Sequence, residues 1–478
     1  MKRIFLILVF LALAVNCWGL TPVYVSPNGD DSDGSNWAKA YTTLKGGIDN
    51  VDDGGTVYVL QANTYTLVAN ISISKEVTVI KSGSDASTLT MNSGLSAWNT
   101  IITADGDYHI TVNGGGDATF RGFKFQGHTD KALTVRSTGG TVGTLSVENC
   151  AFYDNTSTGL NGGAVEIYVG AGPAAVFSAE DCLFDSNYNQ AEGGAIGARD
   201  LWTITLTDCK FTGNHCTRLD LGTSGGAVYG TTSDTGESVA TITGCVFDGN
   251  YLPTSDPTAG GATYNNGGQV RFRGQSATMT TQANYTDCTF KNGRAEFGGS
   301  TYYSGYSHGT LIRCYWKNNY SRVDGGALYR GGTDNTITVI DCLFEKNYTM
   351  PGEGGEGGAI FILNSSHGAD ITYSRFISNT ADSYGWSIYG WDIDDATYFS
   401  SIDHCEFYGA DPGSEFHIYG EDNAGFDTIE NSVIPTGFLS DSGASESGNT
   451  ASESPVGKRY REKGGNQSVI LGTGFGLY

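Results

Sequence analysis

Two short motifs alternate along this 478-residue chain in about nine copies, and together they restrict the fold more than any other feature. The first is Cys-x-Phe-x-x-Asn, as in Cys150-Ala-Phe152-Tyr-Asp-Asn155. It returns as Cys182 with Phe184 and Asn187, Cys209 with Phe211 and Asn214, and Cys245 with Phe247 and Asn250. Cys288 with Phe290, Cys314 with Trp316 and Asn319, and Cys342 with Phe344 and Asn347 follow. Ser374 with Phe376 and Asn379, then Cys405 with Phe407, close the series. The second motif is Gly162-Gly163-Ala164-Val165. It recurs at Gly193, Gly225, Gly260, Gly298, Gly325 and Gly357 and degrades at Gly385-Trp386-Ser387-Ile388. The period varies from 26 to 43 residues, mainly between the Asn and the Gly-Gly or after Gly-Gly-Ala, which places loops of variable length there. Repeats of this size are stacking units that cannot bury a hydrophobic face alone.

Within a unit, Leu145 and Val147 share one face of a strand by the period-two rule. The residue before each Cys is Asn149, Asp181, Asp208, Gly244, Asp287, Arg313, Asp341, Tyr373 or His404. Six of these nine are Asn, Asp or Gly, which tolerate positive φ and so mark a sharp bend. After the bend, Cys150 and Phe152 face inward on a second strand. Asn155 bonds backbone at the turn that ends it. Gly-Gly opens a third strand, where close packing or positive φ excludes larger residues. Three short strands per coil, with coils stacked about 4.8 Å apart, make a solenoid with identical side chains in columns. The fold expected is all-β, a single-stranded right-handed parallel β-helix. Residues 20–66 form an N-terminal cap and first strands, with Val23-Tyr24-Val25 as a strand, a short helix within Thr42–Val51 and a strand at 56–60. Residues 67–436 form the coils and 437–478 a flexible tail.

Charged residues are only 16% of the chain, yet the net charge is −24. A chain so acidic lacks the basic face that phosphate backbones require, and it is repelled by anionic lipid. Lys2 and Arg3, an apolar run from Ile4 to Val15 and small residues at Cys17 and Gly19 read as a signal peptide over 1–19. No later segment reaches the ~18 apolar residues of a membrane span. The expected location is therefore secreted or at the outer cell surface. Nine cysteines remain after removal of the signal. Their spacing follows the repeat, which favours a buried column of thiols, although disulfides between adjacent coils also satisfy the distance limits. Cys216 alone falls outside the column. Asn155, Asn284, Asn319, Asn347 and Asn364 lie in Asn-x-Ser/Thr sequons.

The paired motifs over roughly 150–390 resemble those of the polymorphic outer membrane protein repeat family. The start, Val23-Tyr-Val-Ser-Pro-Asn-Gly with Gly-Gly-Thr-Val-Tyr-Val at 54–59, is similar to the N-terminal cap of pectate-lyase-like β-helix proteins. The resemblance implies a passenger-type surface protein, often adhesive. That family's C-terminal β-barrel has no counterpart in the 40-odd residues after the last coil, which are too few for even eight strands of ~9–11 residues.

One column is expected to face outward, two residues after the Ala of each Gly-Gly-Ala. It holds Glu166, Gly197, Tyr229, Tyr264, Tyr302, Tyr329 and Phe361, with Tyr389 and Tyr419 in the degraded repeats. Tyrosines stacked in this way offer flat apolar faces with hydroxyl handles for a glycan or a protein, or they stack on one another to stabilise the sheet. Asp30, Asp31 and Asp33 form a candidate Ca²⁺ turn; no other cofactor is implied. Catalysis finds little support. No Gly-His-Gly or Arg-Ile-Lys occurs, Asp392, Asp394 and Asp395 fall outside the repeat, and His128, His215, His308, His367, His404 and His417 show no metal spacing. The function expected is that of an adhesin or glycan-binding protein without catalytic activity, with extracellular glycans or surface proteins as partners. The alternatives are a lyase or hydrolase acting on acidic polysaccharide, and a structural envelope or matrix protein.

Overall fold

The computed structural model describes residues 20–83, 89–159, 162–170, 172–216, 225–252, 267–332, 334–363, 369–391, 401–409, 418–421 and 428–432, with four further short strands up to residue 470. The signal segment, Tyr264, Asn364, His367, Asp392, Asp394, Asp395 and His417 lie outside the described residues.

Each coil repeats one path, and Thr144–Val169 shows it. The strand Thr144–Glu148 bends at Asn149 into Ala151–Tyr153, which bends again at Asp154 before Asn155 and the two-residue strand Thr156–Ser157. A loop leads to Gly162-Gly163 and the strand Val165–Val169, and the next coil begins at Ala175. Stacking the three main strands yields parallel sheets of fifteen, twelve and thirteen strands, here called sheets one, two and three in path order. Parallel neighbours joined by a full turn of chain give a right-handed parallel β-helix, as the motifs predict.

All nine residues before the Cys position hold φ between 51° and 62°. The structure adds a second left-handed column just before the Asn, at Asp154, Ser186, Gly213, Gly249, Asn292, Asn318, Lys346 and Ser378. The two glycines of Gly-Gly do different work. The first has positive φ, for example 62° at Gly162 and 63° at Gly193. The second lies against the next coil, and a Cβ there would come within 2.1–2.3 Å of a backbone oxygen.

The interior follows the motif. The column from Phe125 to Phe407 stacks with centroids 4.6–5.1 Å apart and planes within 9°, Trp316 taking its turn. The nine described cysteines are free and buried. The Cys150 N–H donates to Cys182 Sγ at 3.4 Å, and where serine replaces cysteine the Cys342 N–H donates to Ser374 Oγ at 3.1 Å. Burial pushes the Cys150 and Cys405 thiols up to about 12. Cys216, off the column, is buried with Leu252 and Ala295.

The Asn column is an amide ladder. The Nδ2–H of Asn155, Asn187, Asn214, Asn319 and Asn347 donates to the next Asn Oδ1 at 2.8–3.0 Å, Asn250 donates to Gln269 Oε1 at 3.0 Å, and each of these six also donates to an aromatic residue's carbonyl at 2.9–3.1 Å. Asn155, Asn319 and Asn347 are fully buried within it, so these three sequons are closed to modification in the folded chain.

At the N-terminus, a helix over Leu44–Asn50 is capped by Thr43, whose side chain accepts from the Gly46 N–H. It is shorter than its apolar spacing suggests because Val51 is already extended. Leu44 and Ile48 close the open end of the core against Val23–Val25 and Gly55–Val59. At the other end, Leu439–Ser440 and Ser445–Ser447 extend sheets three and one, so pairing runs past residue 436, the boundary drawn from the sequence. Among the described residues no helix is long and apolar enough to cross a membrane.

Candidate functional site

Register fixes the outward column of sheet three as Glu166, Gly197, Tyr229, Arg271, Tyr302, Tyr329, Phe361, Tyr389 and Tyr419. The position expected for Tyr264 belongs to Arg271. Gly267-Gly268-Gln269-Val270 forms the motif of that coil, and Gly260-Gly261-Ala262 lies outside the described residues. The column points away from the main core as alternation requires, but it is not open. Tyr229 is 2% exposed, Tyr329 6%, Phe361 1% and Tyr389 0%. The rings from Tyr302 to Tyr419 stack 4.8–5.6 Å apart, Phe297 meets Tyr329 edge-on, and Tyr384 stacks on Tyr419. The Arg271 guanidinium lies 5.9 Å from the Tyr229 ring centre and 5.1 Å from that of Tyr302. These residues form a small second core with little flat surface left for a ligand.

Asp30, Asp31 and Asp33 do not converge either. Asp31 accepts from the Thr42 N–H and hydroxyl at 2.8 and 2.7 Å, which lowers its pKa. Asp30 accepts from the Ser32 N–H. Asp33 is held at about 2 by the Ser35 hydroxyl first, then by the Ser35 N–H and Lys39. Each carboxylate pins its own turn, and among the described residues no group of three His, Cys, Asp or Glu is placed to hold a metal ion.

The exposed aromatic column stands elsewhere, at the residue after each ladder Asn. Pairing sets Thr156, Tyr188, His215, Tyr251, Arg294, Tyr320, Tyr348 and Thr380 in one line. Tyr251 is 38% and Tyr348 40% exposed, Arg294 is exposed, and Tyr188, His215 and Tyr320 are half-buried. The His215 ring lies 5.1 Å from Tyr188 and stacks on Tyr251 at 4.9 Å and 3°. Arg294 sits 5.4 Å over the Tyr320 ring, and Tyr320 meets Tyr348 at 5.2 Å. From Tyr188 to Tyr348 the strip covers five steps of about 4.8 Å, or about 24 Å. Beneath it runs the buried amide ladder, whose Oδ1 atoms also accept from the backbone N–H groups of Asn155, Asn187, Asn214, Gly293, Asn319 and Asn347. Partial burial lowers the His215 pKa, which favours the neutral ring in the stack. The signal was visible in the sequence as an aromatic ring after Asn in Asn187-Tyr188, Asn214-His215, Asn250-Tyr251, Asn319-Tyr320 and Asn347-Tyr348. Treating the Asn as the end of a strand hid it, because the chain continues into a two-residue strand that makes these residues a column.

No protein-family model matches the chain, and no curated protein matches it. Among solved structures it is similar to a rhamnogalacturonan lyase, at 13% identity over 91% of this chain and 89% of that one, with a TM-score of 0.34. It is similar to the A-module of an Azotobacter vinelandii mannuronan C-5 epimerase, at 13% identity over 86% and 95%, TM-score 0.38. A mannuronic acid-specific polysaccharide family 6 lyase from human gut microbiota matches at 12% identity over 84% and 78%, TM-score 0.36. At such values the likeness assigns no activity, and the β-helix rests on its own strand pairing.

Proposed function

We propose that this protein is a secreted or cell-surface β-helix that binds a polysaccharide chain along the strip from Tyr188 to Tyr348. The observation that carries the reading is that this column, in register over six coils, runs from half-buried to exposed, while the column on sheet three is closed. Aromatic faces with polar edges suit sugar rings, which present apolar C–H faces and hydroxyl rims. A strip that repeats at the coil spacing suits a ligand that also repeats. The signal-like N-terminus and the resemblance of the repeats to surface-protein motifs support an adhesive setting.

Binding should be measured by glycan array and then by calorimetry on the strongest polymer. The triple variant Tyr251→Ser, Tyr320→Ser, Tyr348→Ser should bind about 10- to 1,000-fold more weakly, since each ring contact contributes roughly 0.5–1.5 kcal/mol. Tyr373→Ser removes a ring that is 49% exposed at a different corner and should change nothing. Equal losses in both variants, or none in the triple variant, would remove the strip from the account.

A further inference from the structure

We propose that the outward face of sheet one binds ice, over the five strands from Trp202–Thr207 to Thr336–Ile340; this surface is separate from the strip and does not depend on it. Each strand places three side chains outward there, in register, so that Thr203, Thr205 and Thr207 head columns that end at Thr336, Thr338 and Ile340. Nine of these fifteen positions are threonine, and the middle column reads Thr205, Thr241, Asn284, Thr310, Thr338. None of the fifteen is buried. The hydroxyls of the four threonines in the middle column form no hydrogen bond among the described residues, so they are turned to water.

The spacing is regular in both directions. Coils repeat at about 4.8 Å, and outward neighbours on one strand stand about 6.6 Å apart. Both distances lie near the two oxygen repeats on a prism face of hexagonal ice. A match over several repeats needs a sheet with little twist, whereas neighbouring strands ordinarily rotate by about 20–25°. Here the core rings of the same five coils, from Phe211 to Phe344, keep successive planes within 5–9° of each other. Threonine is stiff at χ1, so its methyl and hydroxyl repeat with the backbone beneath them. The methyl groups order the water that covers them, and the hydroxyls donate and accept within that layer.

The charge pattern selects a neutral partner. The chain has a net charge of −24, yet none of the fifteen positions is Asp, Glu, Lys or Arg. Charge returns at the border: exposed Glu180 stands one coil before Thr207, and exposed Asp370 one coil after Thr338. Other occupants fit less well. The face measures roughly 19 by 13 Å, or about 250 Å², well under the ~800 Å² per partner of a stable protein interface. His308 is the one ring among the fifteen, so the face lacks the aromatic planes on which sugars stack. A solid with the same repeat engages every row at once, which is how many weak contacts add up.

For the test the full chain is made in a host without N-glycosylation, because Asn284-Tyr285-Thr286 is a sequon at the centre of the face. Thermal hysteresis is measured, and fluorescently labelled protein is grown into a single ice crystal to show which planes it coats. The expected result is hysteresis, with label on the prism planes. Thr205→Tyr combined with Thr310→Tyr should abolish hysteresis and leave the urea midpoint nearly unchanged, since tyrosine suits an outward strand position. Thr119→Tyr lies in the same column three coils before the face and should retain hysteresis, as should the triple variant of the strip. Full hysteresis in the folded double variant, or equal loss in Thr119→Tyr, overturns the proposal. An unaltered protein that shows no hysteresis and leaves the crystal unlabelled overturns it as well, and that result needs no variant to fold. Either failure leaves the glycan strip standing, because its binding is read on a different surface.

Discussion

Replacing Gly194 with alanine should sharply lower the soluble yield and the urea midpoint, whereas Gly249→Asn should be tolerated within about 0.5 kcal/mol. Both are glycines at turns, and their surroundings separate them. A Cβ on Gly194 would lie 2.1 Å from the Gly226 oxygen and 2.5 and 2.7 Å from the backbone nitrogen and oxygen of His215. All three atoms are backbone, so no side chain can turn aside. Relief would require two coils to separate where the Ala195 and Ile196 N–H groups both donate to the Ala227 carbonyl at 2.9 and 3.0 Å. A cost of at least about 4 kcal/mol is expected, in the exceptional range for one substitution. Gly249 has φ 64° with nothing within 4 Å of a Cβ, and at its column position Ser186, Asn318 and Lys346 already hold φ of 52–57°. Soluble yield and urea midpoints decide the matter; a folded Gly194→Ala protein with an unchanged midpoint would contradict the coil spacing.

The second large effect lies where the amide ladder loses its asparagine. Register puts Gly293 in the gap, since Asn292 has shifted one residue back. Gln269, from the motif of the preceding coil, fills the space. Asn250 Nδ2 donates to Gln269 Oε1 at 3.0 Å, and Gln269 Nε2 donates to Asn319 Oδ1 at 3.2 Å. Gln269→Ala should cost about 2–4 kcal/mol, because buried amide groups lose partners and a cavity opens. Gly293→Asn alone should also destabilise, since its Cβ would come within 2.7–2.8 Å of the Gln269 side chain and 2.4 Å of the Gly299 oxygen. Combined, the two changes remove the side-chain clash and restore an asparagine to the column. The double variant should therefore be more stable than the sum of the singles predicts, by at least about 1 kcal/mol. Additivity would mean that Gln269 does not stand in for the missing asparagine.

The same coil shows how far the sequence could be read. Cys, Phe and Asn announced their columns because one residue type repeats at one place, and the left-handed bend before each Cys was legible because Asn, Asp and Gly dominate it. The register of the coil at Gly267 was not legible. Gly260-Gly261-Ala262 matches the motif better than Gly267-Gly268-Gln269, and only strand pairing shows that Arg271 stands between Tyr229 and Tyr302. The facing of the tyrosine column followed from alternation, but its burial did not, because Phe297 and Tyr384 reach it from loops that no periodicity describes. The exposed strip was missed for the opposite reason: a two-residue strand is too short to alternate.

The central claim is that the strip after the amide ladder, and not the column on sheet three, meets the ligand. Tyrosine nitration of the folded protein, mapped by mass spectrometry with and without the bound polysaccharide, tests it directly. The account predicts rapid modification at Tyr251, Tyr320 and Tyr348, protection of all three by the glycan, and little reaction at Tyr229, Tyr329 and Tyr389 in either state. Rapid nitration of Tyr329 and Tyr389 that the glycan suppresses, with the strip unaffected, would contradict it.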